Sequence, residues 1–299
     1  MSRFHNFTDP FVRGPRRGAL SLLAGAVFAV AVPLAHATSY TLTDLNSSIT
    51  VDPTSQDGIS AWKVDGVNQL YQQWFWGREG STGPEHSLDS LTLLNAKATD
   101  TNFNPGNDTL SLLYGDGTTT ADSSLTVALH LSLAGGAAGS RTSDLNTQAM
   151  FSNLTDSPVT LHIFQYSDFD LSDNSDNDTA TAPNANTIIQ SDGGMILTDS
   201  AAPTPSKWQI GPYSGLLDSL NDSGPTGLTD SGSGTVGDAT YARQWDFTLP
   251  PKGSGGATVG FSLDQHLSVP DPGTVLLLAA GMLGLAAANR RRAAPAEQD

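Results

Sequence analysis

Residues 125–133 read LTVALHLSL and residues 159–166 read VTLHIFQY. In the first stretch Leu125, Val127, Leu129, Leu131 and Leu133 share one side, and Thr126, Ala128, His130 and Ser132 share the other. That period of two marks a half-buried β-strand. His130 then sits on the less apolar face, where solvation is expected rather than catalysis. The second stretch is dense in β-branched and aromatic residues, which favour strands. A further strand, 147–151, leads into Asn153-Leu154-Thr155-Asp156-Ser157-Pro158, a turn, before Val159. Strand, N-x-T-x-x-P-V turn and strand is a hairpin common in extracellular β-sandwiches, an analogy for the fold class alone.

The same signals repeat on both sides. A strand pair is predicted over 38–51, and a hairpin over 59–76 turns at Asp65-Gly66. Further strands are predicted at 88–98, 109–114, 187–190, 195–198, 207–210, 241–249 and 257–263, with a hairpin turn at Asp192-Gly193-Gly194. Residues 101–108 form a loop. Residues 216–237, rich in Gly, Ser, Asp and Thr, read as a long surface excursion with a short helix near 216–220. Asp264 to Ser268 reads as a link to the tail. No long amphipathic helical pattern and no internal repeat is evident. The expectation is an all-β chain: one large antiparallel β-sandwich over residues 38–267, between an N-terminal signal helix and a C-terminal hydrophobic anchor helix.

Two stretches could carry binding. Tyr71, Trp74, Phe75 and Trp76 form the densest aromatic cluster. Tyr71, Trp74 and Trp76 would serve as a stacking platform for sugar rings. The competing and preferred reading is a strand packed on both faces inside a two-sheet core. The second stretch holds five carboxylates in eleven residues: Asp168, Asp170, Asp173, Asp176 and Asp178. These are candidate Ca²⁺ ligands, since Ca²⁺ takes oxygen donors. The run is not an EF-hand, because Asp173 stands where that loop needs Gly and Thr179 where it needs Glu. A solvated acidic loop is the alternative.

The ends supply an address. Arg13, Arg16 and Arg17 precede an apolar run from Ala19 to Leu34, and Ala35-His36-Ala37 follows. This is a secretory signal peptide, residues 1–37, with cleavage after Ala37. At the other end Val269-Pro270-Asp271-Pro272-Gly273 leads into an uncharged run to Ala288, closed by Arg290-Arg291-Arg292. The arginines place the C-terminus in the cytoplasm, so residues 268–299 read as a membrane anchor.

Pro-x-Pro, apolar segment and arginine cluster, in that order, resemble the PEP-CTERM sorting signal of Gram-negative bacteria, with Asp271 where Glu is usual. The resemblance covers about thirty residues. It implies recognition and processing by an exosortase after export, with transient membrane attachment through the tail. It also implies a cell-surface or extracellular destination in species that make exopolysaccharide, with polysaccharide as the partner such a destination offers.

Composition agrees with export and excludes some partners. There is no cysteine, hence no disulfide and no thiolate site. Residues 38–270 carry seven Lys+Arg against 26 Asp+Glu, a net charge near −19. Nucleic acid is excluded as a partner, because binding it means neutralising phosphates with basic side chains. No G-x-S-x-G, Walker or H-E-x-x-H motif occurs, no G-x-G-x-x-G is placed between a strand and a helix, and His86, His130, His162 and His266 lack neighbours at ligand spacing. Three readings follow: a non-catalytic envelope or matrix protein, a carbohydrate-binding module, and, ranked third, a glycan-active enzyme.

Overall fold

The computed structural model describes residues 39–269. The chain runs through β1 (Tyr40–Asp44), β2 (Ser47–Asp52), β3 (Gly58–Val64), β4 (Val67–Asn68), β5 (Gln72–Glu79) and β6 (His86–Ser87). It continues through β7 (Thr92–Thr99), β8 (Thr109–Gly115), β9 (Leu125–Gly135), β10 (Ser143–Asn153), β11 (Val159–Asp168) and β12 (Asp178–Asn184). Then come β13 (Thr187–Asp192), β14 (Met195–Ala202), β15 (Lys207–Pro212), the single-turn helix α1 (Gly215–Leu220), β16 (Thr235–Gly237), β17 (Ala239–Leu249) and β18 (Thr258–Ser268). The strands form two sheets, ordered β1-β2-β3-β5-β11-β17-β15 and β16-β12-β13-β14-β18-β10-β9-β8-β7, with β4 and β6 attached to the first. Among the described residues the pairings are antiparallel except a short parallel contact of Gly58 and Ile59 with Gln73 and an isolated parallel bridge of Gln209 with Ser231. The expected all-β sandwich is therefore present; the signal and anchor helices fall outside the described residues. Among the described residues no helix is long and apolar enough to cross a membrane.

The alternation read from residues 125–133 is what builds the core. Val127, Leu129, Leu131 and Leu133 of β9 are buried, and so are Leu145, Ala149 and Phe151 of β10, while His130 and Met150 face out. Each of these Val, Leu and Phe side chains contributes about 1.5–3 kcal/mol when fully buried. From the first sheet Phe75 and Trp245 meet Phe261 of β18 across the interface; the Trp245 and Phe261 rings stack at 4.0 Å.

A polar group also crosses that interface. Arg243 of β17 and Asp199 of β14 are both fully buried and form an ion pair of 2.8 Å. Tyr241 Oη and Gln265 Nε2 donate to the other Asp199 oxygen. Gln265 Nε2 also donates to Gln73 Oε1 at 2.7 Å, and Arg243 Nη1 donates to Gln165 Oε1 at 3.2 Å. Side chains from both sheets thus interlock in one register.

The first sheet is buried on both faces. Trp74 and Trp76 lie opposite Tyr166 and Phe164 on the side turned away from the second sheet. Residues 213–234 lie over that side: Leu216, Leu220 and Leu228 are buried, and Trp76 Nε1 donates to Asn221 Oδ1 at 3.1 Å. The predicted surface excursion is therefore a cover, although its short helix stands where expected.

Three local expectations change. The hairpin turn at Asp65-Gly66 is present, with φ of 50° and 82°, but its second strand stops at Asn68 and β5 leaves to pair with β11. Asp264 to Ser268 is not a link: it is the end of β18, paired with β10 on one side and β14 on the other. Strands β12 and β16 were not predicted, because their Thr, Ala, Asn and Gly residues carry little apolar alternation.

Candidate functional site

The described site lies where β11 ends. Asp168 is the last residue of β11, opposite Gln72 at the start of β5 and Thr240 near the start of β17. Beyond it the side chains alternate. Phe169 and Leu171 are buried, with Phe169 stacked on Tyr241 at 6.2 Å, which turns Asp168 and Asp170 to the opposite side. Ser172 and Asp173 then adopt left-handed φ of 64° and 61°, and the Asp173 amide donates to Asn68 O and Asp170 O. These bonds fix the loop root.

Asp238, just ahead of β17, completes the cluster. Asp168, Asp170 and Asp238 each place one carboxylate oxygen within 4.8 Å of the others. Three ionised carboxylates so close would repel by about 3–4 kcal/mol per pair at an effective dielectric of ~20. Among the described residues none of the three forms an ion pair with Lys, Arg or His. Burial, then the charges of Asp170 and Asp238, push Asp168 up to about 7. Burial, then Asp238, Asp173 and Asp176, push Asp170 up to about 6. Asp168 is 2% exposed; one of its oxygens accepts from Tyr166 Oη at 3.3 Å, and the other has no hydrogen-bond partner. Asp178 is fully buried at the start of β12; burial pushes it up to about 8, a contact with the Gln190 side chain works against the rise, and Asp192, Asp170 and Asp238 add to it.

Two tyrosines border the cluster. Tyr71, whose amide donates to Asp168 O at 2.9 Å, and Tyr213, whose amide donates to Asp238 O at 2.9 Å, meet edge to face at 6.2 Å. They are 54% and 46% exposed, among the few large apolar-bodied side chains open to solvent. On one side they share a cavity of about 230 Å³ with Asp168, Asp170, Asp238 and Ser175. On the other they share one of about 320 Å³ with Gln56, Asp57, Ser60 and Gln72. The tyrosine pair is a common wall between an acidic hollow and a polar one.

The sequence-stated candidates divide accordingly. Of the five carboxylates proposed for Ca²⁺, Asp168 and Asp170 meet in the cluster and Asp178 lies buried behind it, while Asp173 and Asp176 are exposed. Of the three aromatic residues proposed for stacking, only Tyr71 is exposed. Trp74 and Trp76 are buried at 0% and 1%, so they are core residues and not a sugar platform. The reason is the cover that residues 213–234 form, together with Gly58, whose absent Cβ leaves the space that the Trp74 ring fills. Tyr213 and Asp238 were missed: each is a single residue beside a Gly- and Ser-rich stretch, with no local pattern to single it out. Ala35, Ala37, Pro270, Asp271, Pro272, Gly273 and Arg290–Arg292 lie outside the described residues.

No family model matches this chain, and no curated protein matches it. Solved structures do. A bacterial glucoamylase complexed with acarbose aligns with a TM-score of 0.53 at 11% identity, over 79% of this chain and 33% of that one. The Slr1438 protein from Synechocystis sp. PCC 6803 aligns with a TM-score of 0.51 at 10% identity, over 79% of this chain and 97% of that one. This chain therefore spans about a third of the glucoamylase and nearly all of the second protein. What is shared is the fold, a two-sheet β-sandwich found in a carbohydrate-related protein.

Proposed function

We propose that this chain is an exported protein of the cell envelope or extracellular matrix, sorted through its C-terminal tail by an exosortase, whose β-sandwich engages exopolysaccharide. The observation that carries the glycan part is the exposed Tyr71–Tyr213 pair between two polar hollows. A tyrosine ring offers an apolar face to the C–H side of a pyranose and a hydroxyl to its rim. The fold shared with a glucoamylase region supports the same reading, and the leader and tail in the sequence support the destination. Catalysis is the weaker reading. Three carboxylates converging on one point suit a shared cation, whereas glycoside hydrolysis uses two carboxylates that flank the scissile bond.

Intact mass of the native protein, from fractionated cells and medium, tests the address. A chain from residue 38 to about 270 in the outer or extracellular fraction is expected. A chain running to Asp299 in the inner membrane would remove exosortase processing. Retention on immobilised exopolysaccharide from the source cells tests the glycan part. Tyr71→Ala and Tyr213→Ala are each expected to weaken retention about two- to tenfold, the change that ~0.5–1.5 kcal/mol for an aromatic contact corresponds to. Wild-type retention in both variants would sink it.

A further inference from the structure

We infer that Asp168, Asp170 and Asp238 hold a Ca²⁺ ion whose open coordination positions face the Tyr71–Tyr213 cavity and take a pair of vicinal sugar hydroxyls. The inference rests on the glycan reading above for the second half and stands without it for the first.

Four observations converge. Three carboxylates from two separate chain segments present oxygens within 4.8 Å of one another. The cluster lines a cavity of about 230 Å³, so an ion there is reachable from solvent. Asp168, which belongs to the cluster and lines that cavity, is 2% exposed and has one oxygen without a hydrogen-bond partner. Buried polar groups in folded proteins nearly always have a partner, so an unpartnered buried carboxylate oxygen in this cluster points to a ligand there. Among the described residues no basic side chain supplies that charge to the three carboxylates.

The donor set selects the ion. All side-chain donors lining the cavity are oxygens, with the Ser175 and tyrosine hydroxyls beside the carboxylates, and there is no imidazole or thiolate. Such a set excludes the zinc and copper preference for nitrogen and sulfur. Ca²⁺ accepts six to eight oxygens at ~2.3–2.6 Å in flexible geometry, whereas Mg²⁺ demands a near-ideal octahedron. Three aspartates leave positions unfilled. Adjacent hydroxyls of a pyranose are a bidentate oxygen donor that would replace two waters, with the ring held against Tyr71 and Tyr213. A domain near −19 over residues 38–270 also gains a means of holding an anionic polysaccharide, since the bound cation offsets repulsion at the contact.

Thermal unfolding and calorimetry of the full chain in detergent, titrated with CaCl₂ or MgCl₂ alone, test the metal. Ca²⁺ is expected to raise Tm in a saturable way below 10 mM, with Mg²⁺ weaker by at least tenfold. Asp238→Asn and Asp170→Asn are expected to lose the Ca²⁺ response at least tenfold while leaving the metal-free Tm unchanged or higher, because each removes a repelling charge. Asp173→Asn and Asp176→Asn, on the exposed loop, are expected to shift Ca²⁺ affinity less than threefold. No Ca²⁺ response to 10 mM, or equal losses in all four variants, overturns the site. Methyl pyranosides differing in the orientation of their vicinal hydroxyls then probe the open positions. Binding that needs Ca²⁺ and is abolished by EDTA supports the coupling. Binding that survives EDTA overturns the coupling and leaves the glycan reading intact. Ca²⁺ binding with no pyranoside or polysaccharide binding overturns both the coupling and the glycan reading while the metal site stands.

Discussion

Replacing Arg243 with Met removes the positive half of the ion pair that joins the two sheets. Wild-type Arg243 contacts Asp199 Oδ1 at 2.8 Å, donates to Asp199 O at 2.7 Å and donates to Gln165 Oε1 at 3.2 Å, with both charged side chains at 0% exposure. Methionine fills part of the volume but offers no donor. Asp199 is left with only Tyr241 and Gln265 as donors and no countercharge. Removing one member of a buried pair costs about 3–5 kcal/mol, because the partner stays buried and uncompensated. For a domain of this size, at roughly 2–4 °C per kcal/mol, Tm should fall by about 6–20 °C. Urea unfolding followed by tryptophan fluorescence reads the change well, since Trp62, Trp74, Trp76 and Trp245 are all buried. The double variant Arg243→Met/Asp199→Leu should recover at least half of the loss, because apolar replacement of a whole buried pair is often neutral. A single variant within about 1 kcal/mol of wild type, or a double variant whose cost is the sum of the singles, would refute the clamp.

Two further predictions concern other parts of the fold. Asn153 is 1% exposed; its Nδ2 donates to Ser157 O, Leu249 O and Pro250 O at 2.7, 3.3 and 3.0 Å, and its Oδ1 accepts from Thr155. Asn153→Ala should cost about 2–4 kcal/mol, and Asn153→Asp more at pH 7, because its carboxylate would face three carbonyl oxygens. Equal stability of the two variants in denaturant melts would exclude that donor role. In EDTA the protein should lose stability as pH rises. Asp170, Asp168 and Asp178 are raised by burial first, and then by neighbouring carboxylates, to about 6, 7 and 8, so the fold holds protons that the unfolded chain releases near ~4. Their stabilisation is complete below that range and is lost as pH climbs through 6 to 8. Asp65, lowered by the Gly139 and Arg141 amides, and Asp230, lowered by Lys207, act in the opposite sense and lose their contribution in acid. Tm measured against pH in EDTA should therefore peak in mildly acidic buffer, and CaCl₂ should flatten the fall above pH 6. A metal-free Tm that rises from pH 5 to 8 contradicts the reading.

Much of the architecture was legible because strand formation is a local matter. The alternation of residues 125–133, the density of 159–166, the Asp65-Gly66 and Gly193-Gly194 turns and the helix near 216–220 each follow from short-range sterics and side-chain period. Strands β12 and β16 escaped because pairing with neighbours, not apolar alternation, makes them strands. The aromatic cluster illustrates the limit: period two correctly separates Trp74 and Trp76 from Phe75, but it is blind to whether a distant segment covers the outer side.

By itself the sequence determined the fold class, the acidic and cysteine-free surface, and the residues from which the expectation of export and sorting comes. These depend on composition and on neighbours a few positions apart. Only the tertiary structure decided that Trp74 and Trp76 lie in the core, that Arg243 meets Asp199, and that Asp238 joins Asp168 and Asp170 beside Tyr71 and Tyr213. Asp238 reaches Asp168 because β17 pairs with β11, placing Thr240 opposite Asp168. Which strands become neighbours is settled by the packing of two whole sheets, and no local period records it.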